Sequence, residues 1–395
     1  MPPSARYVAL RNLSLLQRQA GVEPAVADLV RAYARLRLDA GEPLTFEFDP
    51  FPRASIEGGL YRQLESANSG VDPRFLRFLS SYGATFTRRG LPVILTPAHL
   101  AQHLAMPLPD LVRLSATVSR HYREIRIPKA HGGERRLLSP QGTLRRVQTW
   151  LLHRMLNRCA PHGAAHAFVR KRSIVSNARP HEGRRVVIRM DLENFFPSVH
   201  VADVRRGFER LGYTYGVARL LASLCTVEGG LPQGAPTSPA LSNLVSFRLD
   251  RRFTALASRL HFSYTRYADD LVMSSDDDRL PALVPFFREV IASEGYRVNE
   301  PKTRIMRAGA AHVVTGLVTN VRTTLKRRDR RILRAMAHRL RTCGPEALEV
   351  RSKRTPNADP LQVFAGHVAF LAMADPAAAQ AMRDALRSGR RSRRS

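Results

Sequence analysis

Two neighbouring acids, Asp269 and Asp270, stand between two apolar segments, and few folds tolerate that arrangement. Residues 262–274 alternate on both sides of Ala268-Asp269-Asp270, the pattern of a hairpin with its acids at the turn. Phe262 and Tyr264 precede the pair; Leu271, Val272 and Met273 follow it. Adjacent like charges repel, so the pair must be exposed or neutralised by a cation. Taken alone it reads first as an exposed turn. Asp276-Asp277-Asp278, set among Ser and Arg, reads as a solvated loop. A third acid, Asp191, ends the apolar run Val186-Val187-Ile188, which has the character of a short buried strand. Three carboxylates on adjacent strand ends can hold two Mg²⁺ ions about 4 Å apart, and oxygen-only ligands suit Mg²⁺.

The rest of the chain supplies a mixed architecture. Residues 1–95 read as a helical extension, with a helix behind Pro24, loop over 40–60, and another helix between the Asp72-Pro73 start and Gly83 as its stop. Thr96-Pro97 and Pro109-Asp110 start further helices. Ile125 and Ile127, a Gly132-Gly133 turn and Leu137-Leu138 predict a β-hairpin. Residues 144–158 predict an amphipathic helix around Val147, Trp150, Leu151 and Leu156. One helix is expected from Pro239 to about Leu260, another over 281–294, and a hairpin or strand pair over 312–325. From Arg328 the chain reads as helical and basic, broken at 351–360, with the tail SGRRSRRS disordered. Strands and helices mixed in this way predict an α+β sheet domain with helical additions at both ends.

Charge limits the function. The chain carries 63 Lys+Arg against 33 Asp+Glu, a net +30, so a polyanionic partner is the natural expectation. The excess is concentrated: residues 101–200 hold 18 basic and 6 acidic groups, and residues 321–395 again 18 and 6. Two cationic segments thus flank a nearly balanced middle that contains Asp269 and Asp270. No run of 18 apolar residues exists, so no ordinary transmembrane helix or membrane partner is expected. The N-terminus lacks the apolar core of a signal peptide. Cys159, Cys225 and Cys343 are far apart and odd in number, which suits a reducing cytoplasm rather than a disulfide framework or zinc site.

Five segments in order resemble the motifs of reverse transcriptases. IPKAHGGERRLL at 127–138 is similar to the fingers hairpin, MDLENFFPSV at 190–199 to motif A, and LPQGAPTSPALSNL at 231–244 to motif B. YADD at 267–270 resembles motif C and GYRVNEPKT at 295–303 motif D. Asn177-Ala178-Arg179-Pro180-His181 matches the NAxxH signature of bacterial retron reverse transcriptases, and Val314-Thr315-Gly316 their VTG signature. The chain is identified as a member of that family. QGAPTSP differs from the string of diversity-generating relatives, and with no maturase or endonuclease segment following, a complete group II intron protein is not expected.

The resemblance implies an α+β fold with right-hand polymerase-like fingers and palm over 96–325, an antiparallel palm sheet, a helical N-terminal extension over 1–95, and a helical basic thumb with a disordered tail over 326–395. It implies an RNA-directed DNA polymerase, a nucleotidyltransferase using two Mg²⁺. Asp191, Asp269 and Asp270 would be catalytic and hold the metals, with the Leu192 carbonyl as a further ligand. Phe196 would exclude a ribose 2′-OH, while Phe195 faces the core. Gln233 and Gly234 would lie against the nucleotide; glycine lets backbone approach closely. Lys129 and Arg135 would reach the triphosphate, with Arg136 as Arg135's competitor because adjacent strand residues face opposite sides. Lys302 would meet the leaving pyrophosphate or contact phosphate. Asn177, His181, Val314, Thr315 and Gly316 would contact RNA. The implied partners are a cognate structured noncoding RNA, dNTPs, an RNA–DNA duplex or msDNA, and an effector protein encoded nearby in antiphage defence. The alternatives are another bacterial reverse transcriptase with a different primer, group II-like or of abortive-infection type, and a catalytically silent RNA-binding scaffold.

Overall fold

The computed structural model describes residues 82–128, 133–344, 348 and 359–392. The expected helices behind Pro24 and Asp72-Pro73, Lys129, Gly132 and residues 351–358 lie outside the described residues. Two compact units interleave in sequence. One combines the described residues up to Pro161 with Asn194–Ser246; the other combines His162–Glu193 with Phe247 onward.

The first unit begins with α1 (Pro97–His103) and α2 (Leu108–Ala116). Thr96 caps α1 by accepting from the His99 N–H at 3.1 Å, as Thr-Pro at a helix start predicts. Residues 82–88 are helical, so Gly83 does not stop that helix; Gly90, at φ +64, does, because only there does the backbone turn left-handed. The hairpin of β1 (Tyr122–Pro128) and β2 (Glu134–Pro140) pairs in register from Tyr122↔Pro140 to Pro128↔Glu134. It leads into α3 (Gly142–Arg154), which buries Leu144, Val147, Gln148 and Leu151.

In the second unit, α4 (Ile174–Ala178) precedes β3 (Val186–Asp191). The unit's later strands are β4 (Ser263–Tyr267), β5 (Asp270–Ser275) and β6 (Arg304–Arg307), and all pairings with β3 and between β4 and β5 are antiparallel. Sheet order is β4-β5-β3-β6, so β3 lies inside the sheet. Its side chains are buried on both faces, which accounts for a continuous apolar run in place of alternation: Val186, Val187 and Ile188 are all 0% exposed. A small hairpin, β7 (Val313–Val314) and β8 (Leu317–Val318), follows.

Back in the first unit, α5 (Phe195–Ser198), α6 (Val201–Arg210), α7 (Tyr215–Cys225) and α8 (Ser238–Val245) complete its helices. The second unit adds α9 (Phe247–Leu260), α10 (Val284–Ser293), α11 (Arg327–Cys343), α12 (Pro360–Ala374) and α13 (Pro376–Ser392). The single helix expected from Pro239 to Leu260 is therefore two. The first ends at Ser246, whose N–H returns to the Ser242 carbonyl at 2.9 Å. Helix α13 continues to Ser392, into the tail expected to be disordered. Leu333, Leu340, Phe364, Val368 and Leu371 of α11 and α12 share one core with Val187 and Val272 of the sheet. Each such side chain contributes roughly 1.5–3 kcal/mol on burial.

Candidate active site

The sheet gathers the acids at one end. Asp191, the last residue of β3, is directly paired with Asp270, the first residue of β5. Across the β4–β5 turn Tyr267 pairs with Asp270, leaving Ala268 and Asp269 as the two turn residues. Ala268 sits at φ +57, a left-handed conformation that a Cβ disfavours. The Asp269 carbonyl accepts from the Leu192 N–H at 2.8 Å, so the turn is stitched to the residue after Asp191. The Asp191 carbonyl in turn accepts from the Asn299 N–H at 2.7 Å. Sequence alternation thus places Asp191, Asp269 and Asp270 on adjacent strand ends.

Their electrostatics are strained. Burial pushes the Asp270 carboxyl up to about 7, against the pull of Arg189, and the neighbouring charges of Asp269 and Asp191 add to the rise. Arg189 Nε lies 3.2 Å from Asp270 Oδ1, yet both atoms are buried without a hydrogen bond, because the pair is misaligned. Lys302 Nζ lies 2.9 Å from Asp191 Oδ2. The protein's own cations therefore stand against two of the three acids. Among the described residues no three His, Cys, Asp or Glu side chains converge as a metal cage. The donor chemistry still fits a hard divalent cation: oxygen ligands only, one of them a buried Asp270 oxygen with no hydrogen-bond donor.

A buried ion pair fixes the turn. Arg266, two residues before Ala268, is 0% exposed. Its Nε and Nη2 donate to the two oxygens of Asp250 on α9, at 2.8 and 2.7 Å. Its Nη1 donates to the Ala268 carbonyl at 3.1 Å. Tyr264 adds a hydroxyl donation to Asp250 at 2.9 Å. Sequence reasoning missed this pair. The available signal was Arg266 on the same strand face as the core residues Phe262 and Tyr264, an inward charge that needs a partner.

Phe196, Gln233, Gly234 and Arg135, expected to border the nucleotide, lie in the other unit. Phe195 is buried and Phe196 half-buried, with ring centroids 5.5 Å apart, as expected of a core residue beside a more open one. The Gln233 carbonyl accepts from the Leu138 N–H at 2.7 Å, and Gly234 sits at φ +118. A Cβ on Gly234 would lie 3.0 Å from the Leu138 carbonyl oxygen, so glycine answers a close approach to backbone. Gly230 is tighter: a Cβ there would meet the Pro197 carbonyl oxygen at 2.3 Å. Arg136 is bound to Glu228 at 2.6 and 2.8 Å and to Glu124 at 2.8 Å. Arg135, exposed and one residue away, has the opposite face of the hairpin.

The two signature motifs are split between inside and surface: Asn177, His181 and Val314 are buried, Thr315 is half-buried, and Arg179, Pro180 and Gly316 are exposed. Asn177 and His181 are 0% exposed. His181 bonds Ser274 through Nδ1 at 2.6 Å and Thr265 through Nε2 at 2.8 Å. Burial drives its pKa down to about 3, and His166 and Arg184 add to the fall. The Asn177 carbonyl accepts from Thr265 Oγ1 at 3.3 Å. Val314 is buried in the core cluster. Thr315 and Gly316, at φ +46 and +85, form the two-residue turn of β7–β8, and Thr315 Oγ1 donates to the Ile174 carbonyl at 3.1 Å. The expectation of RNA contact through Asn177, His181 and Val314 thus meets side chains that have no open surface. The His181 ring bonds and the Asn177 backbone carbonyl join this segment to the sheet, while both polar atoms of the Asn177 side chain are buried without a hydrogen-bond partner.

Residues 127–359 match the family model of the reverse transcriptase, an RNA-dependent DNA polymerase. The class of enzyme is set by that match over more than half of the chain. Among curated proteins, the retron Mx65 reverse transcriptase of Myxococcus xanthus is 39% identical over 317 residues, 74% of this chain and 74% of its own length. The retron Ec86 reverse transcriptase of Escherichia coli is 33% identical over 272 residues, 67% of this chain and 84% of its own. Among solved structures, apo telomerase from Candida tropicalis gives a TM-score of 0.40 at 10% identity, covering 93% of this chain and 76% of that one, a likeness too low to add to the assignment. The chain belongs to the bacterial retron reverse transcriptases. Its activity is RNA-directed DNA polymerisation. Among the described residues no helix is long and apolar enough to cross a membrane.

Proposed function

We propose that this enzyme binds a cognate structured noncoding RNA, primes from a 2′-OH of that RNA, and copies part of it into single-stranded DNA, the msDNA, in a role that serves antiphage defence with an effector encoded nearby. The observation that carries the chemistry is the direct pairing of Asp191 with Asp270 beside Asp269, with one Asp270 oxygen buried and unsatisfied. Asp191, Asp269 and Asp270 would hold two Mg²⁺ ions, with the Leu192 carbonyl as a further ligand. When bound, such ions activate an attacking hydroxyl and offset charge on the triphosphate. The chain's own residues do the rest. Arg266 and Asp250 hold the Ala268 carbonyl, and so the turn that carries Asp269. Lys302, beside Asp191, is placed to exchange its carboxylate partner for a phosphate oxygen. Phe196 would bar a 2′-OH, since that group alone separates the two nucleotide classes at the sugar. Gln233 and Gly234 would border the nucleotide, and Lys129 and Arg135 would donate to its triphosphate, where cationic donors stabilise developing charge.

The test is to isolate the nucleic acid that copurifies with the enzyme, add dNTPs, and look for DNA joined to RNA through a 2′–5′ branch. A branched product is expected. DNA synthesis that starts only from an added 3′-OH primer would overturn the priming proposal, and absence of any dNTP incorporation would overturn the catalytic one.

A further inference from the structure

Helix α3 is amphipathic in an unusual way. Its inward face is complete with Leu144, Val147, Gln148 and Leu151, and Met155 closes its end; none of these is more than 3% exposed. Gln148 is not idle there, since its Nε2 donates to the Tyr122 hydroxyl at 2.7 Å and the Leu224 carbonyl at 2.8 Å. The outward face, at helical spacing, holds Arg145, Arg146, Thr149, Trp150, His153 and Arg154, which line one open groove. Trp150 is the chain's single tryptophan. A core-seeking indole belongs on the inward face; this one is half-exposed among three arginines. It is backed by a ladder of rings: His103 lies 5.9 Å from Trp150, centroid to centroid, and His99 stacks on His103 at 4.7 Å.

The charge around it is one-signed. Helix α3 contains no acid, and from Arg135 to Pro161, the stretch that stays within this unit, the sequence has six Arg and no Asp or Glu. Other arginines of the same unit are matched by carboxylates: Arg113 by Asp110, Arg126 by Glu124, Arg136 by Glu228. Among the described residues no carboxylate pairs with Arg145, Arg146 or Arg154. Unpaired guanidinium groups around a supported aromatic ring suit an unpaired nucleic-acid strand: the cations take phosphates and the ring takes a base face. A membrane surface would need an apolar stripe beside the cations, and Trp150 is the single large apolar side chain among the residues that line this groove.

We infer that the outward face of α3 is a binding surface for unpaired RNA, with Arg145, Arg146 and Arg154 on phosphates and Trp150 stacked on a base. The inference rests on the reading of this chain as an enzyme that binds and copies RNA. The bound strand is either template or an uncopied part of the structured RNA; both present the same chemistry.

The lone tryptophan makes the test direct. An RNA stem-loop with a mixed-sequence single-stranded tail, end-labelled, is titrated with full-length enzyme, following label anisotropy and indole emission together. Emission should be quenched along the same binding curve. The triple variant Arg145→Gln, Arg146→Gln, Arg154→Gln should lower the slope of log affinity against log salt by about 2, at roughly 0.7 for each phosphate on a single strand. Trp150→Ala should weaken binding about tenfold, and Trp150→Phe should restore most of the loss, because a ring that stacks is retained. In primer extension on oligo(dT)–poly(rA), a raised template KM in the triple variant assigns the strand to the template; an unchanged KM with weaker stem-loop binding assigns it to the uncopied RNA. RNA that binds with no change in indole emission, or a triple variant with unchanged affinity and slope, overturns the inference. An indole shielded from iodide before RNA is added would show that another part of the protein covers the face, which overturns it as well. Wild-type enzyme that incorporates no dNTP would instead overturn the underlying reading, so the two failures are distinct.

Discussion

A single carboxylate can separate binding from chemistry in this enzyme. Asp269 lies in the β4–β5 turn, where its carbonyl accepts from the Leu192 N–H at 2.8 Å, a backbone bond that the isosteric amide leaves in place. Asp269→Asn should therefore keep the turn and RNA affinity while reducing primer extension by about 10³-fold or more, the scale on which loss of electrostatic stabilisation is felt. Extension and RNA binding measured on one preparation check this, and near-normal extension would remove Asp269 from the site. Asp250 tests positioning instead. Asp250→Asn leaves the buried Arg266 uncompensated and should cost about 3–5 kcal/mol in a denaturant melt. The double variant Asp250→Leu, Arg266→Met should recover much of that stability, since buried pairs replaced by apolar groups are often neutral. It should not recover kcat, because nothing then holds the Ala268 carbonyl. A double variant that is both stable and fully active would show the pair to be structural only. The acids were singled out in the sequence by the ordered motifs around them, since the Asp-Asp pair alone read as an exposed turn. Arg266 was half legible, as a charge on an inward face. Asp250 was not, because its pairing depends on how α9 lies against β4, and no periodicity encodes that.

Helices, strands and turns followed the sequence where burial enforces a period. The inner strand β3 and the hairpin bearing the acids lie where an apolar run or alternation placed them, and the largely exposed β1–β2 hairpin lies where its Gly132-Gly133 turn signal placed it. Expectations failed where the deciding term is local or tertiary. Ser246 breaks a helix that apolar spacing would continue, and Gly83 is carried through a helix that Gly90 ends. The signature motifs show the same limit from the other side. The resemblance implied that Asn177 and His181 contact RNA, but His181 is pinned between Thr265 on β4 and Ser274 on β5. This joint predicts a pH dependence of stability. Burial favours the neutral imidazole and lowers its folded pKa to about 3, against an unfolded value near 6.5. The unfolded chain then binds the extra proton first. The stabilising contribution is complete above about pH 6.5 and is lost as pH falls from there toward 3, by up to about 1.4 kcal/mol per unit. Melts between pH 7 and pH 4.5 should show that loss, and His181→Gln, if folded, should flatten it. An equal slope in the variant would assign the acid sensitivity to other groups.

At the scale of the molecule, the basic C-terminal helices are not an appendage. Leu333 and Leu340 of α11, and Phe364 and Leu371 of α12, share a core with Val187 of β3 and Val272 of β5, strands that carry Asp191 and Asp270. Deleting residues 321–395 would expose that core, so loss of function in such a fragment would say nothing about nucleic acid. Charge must be changed without touching packing. Helix α11 permits this, because Leu333, Ala337 and Leu340 are buried while Arg327, Arg331 and Arg334 are exposed. If α11 grips the backbone of an RNA–DNA duplex, replacing these three arginines by Gln should weaken duplex binding at all sequences alike. The slope of log affinity against log salt should fall by close to 3, at roughly 0.9 per lost phosphate contact on the B-DNA scale. The melting midpoint should hardly move, since solvent-exposed charges contribute little to stability. The two basic segments of the sequence then become separable: the α11 variant should alter the salt slope for duplex, and the α3 variant that for single-stranded RNA. A well-folded α11 variant with an unchanged duplex slope would show that its charge serves solubility and that the duplex is held elsewhere.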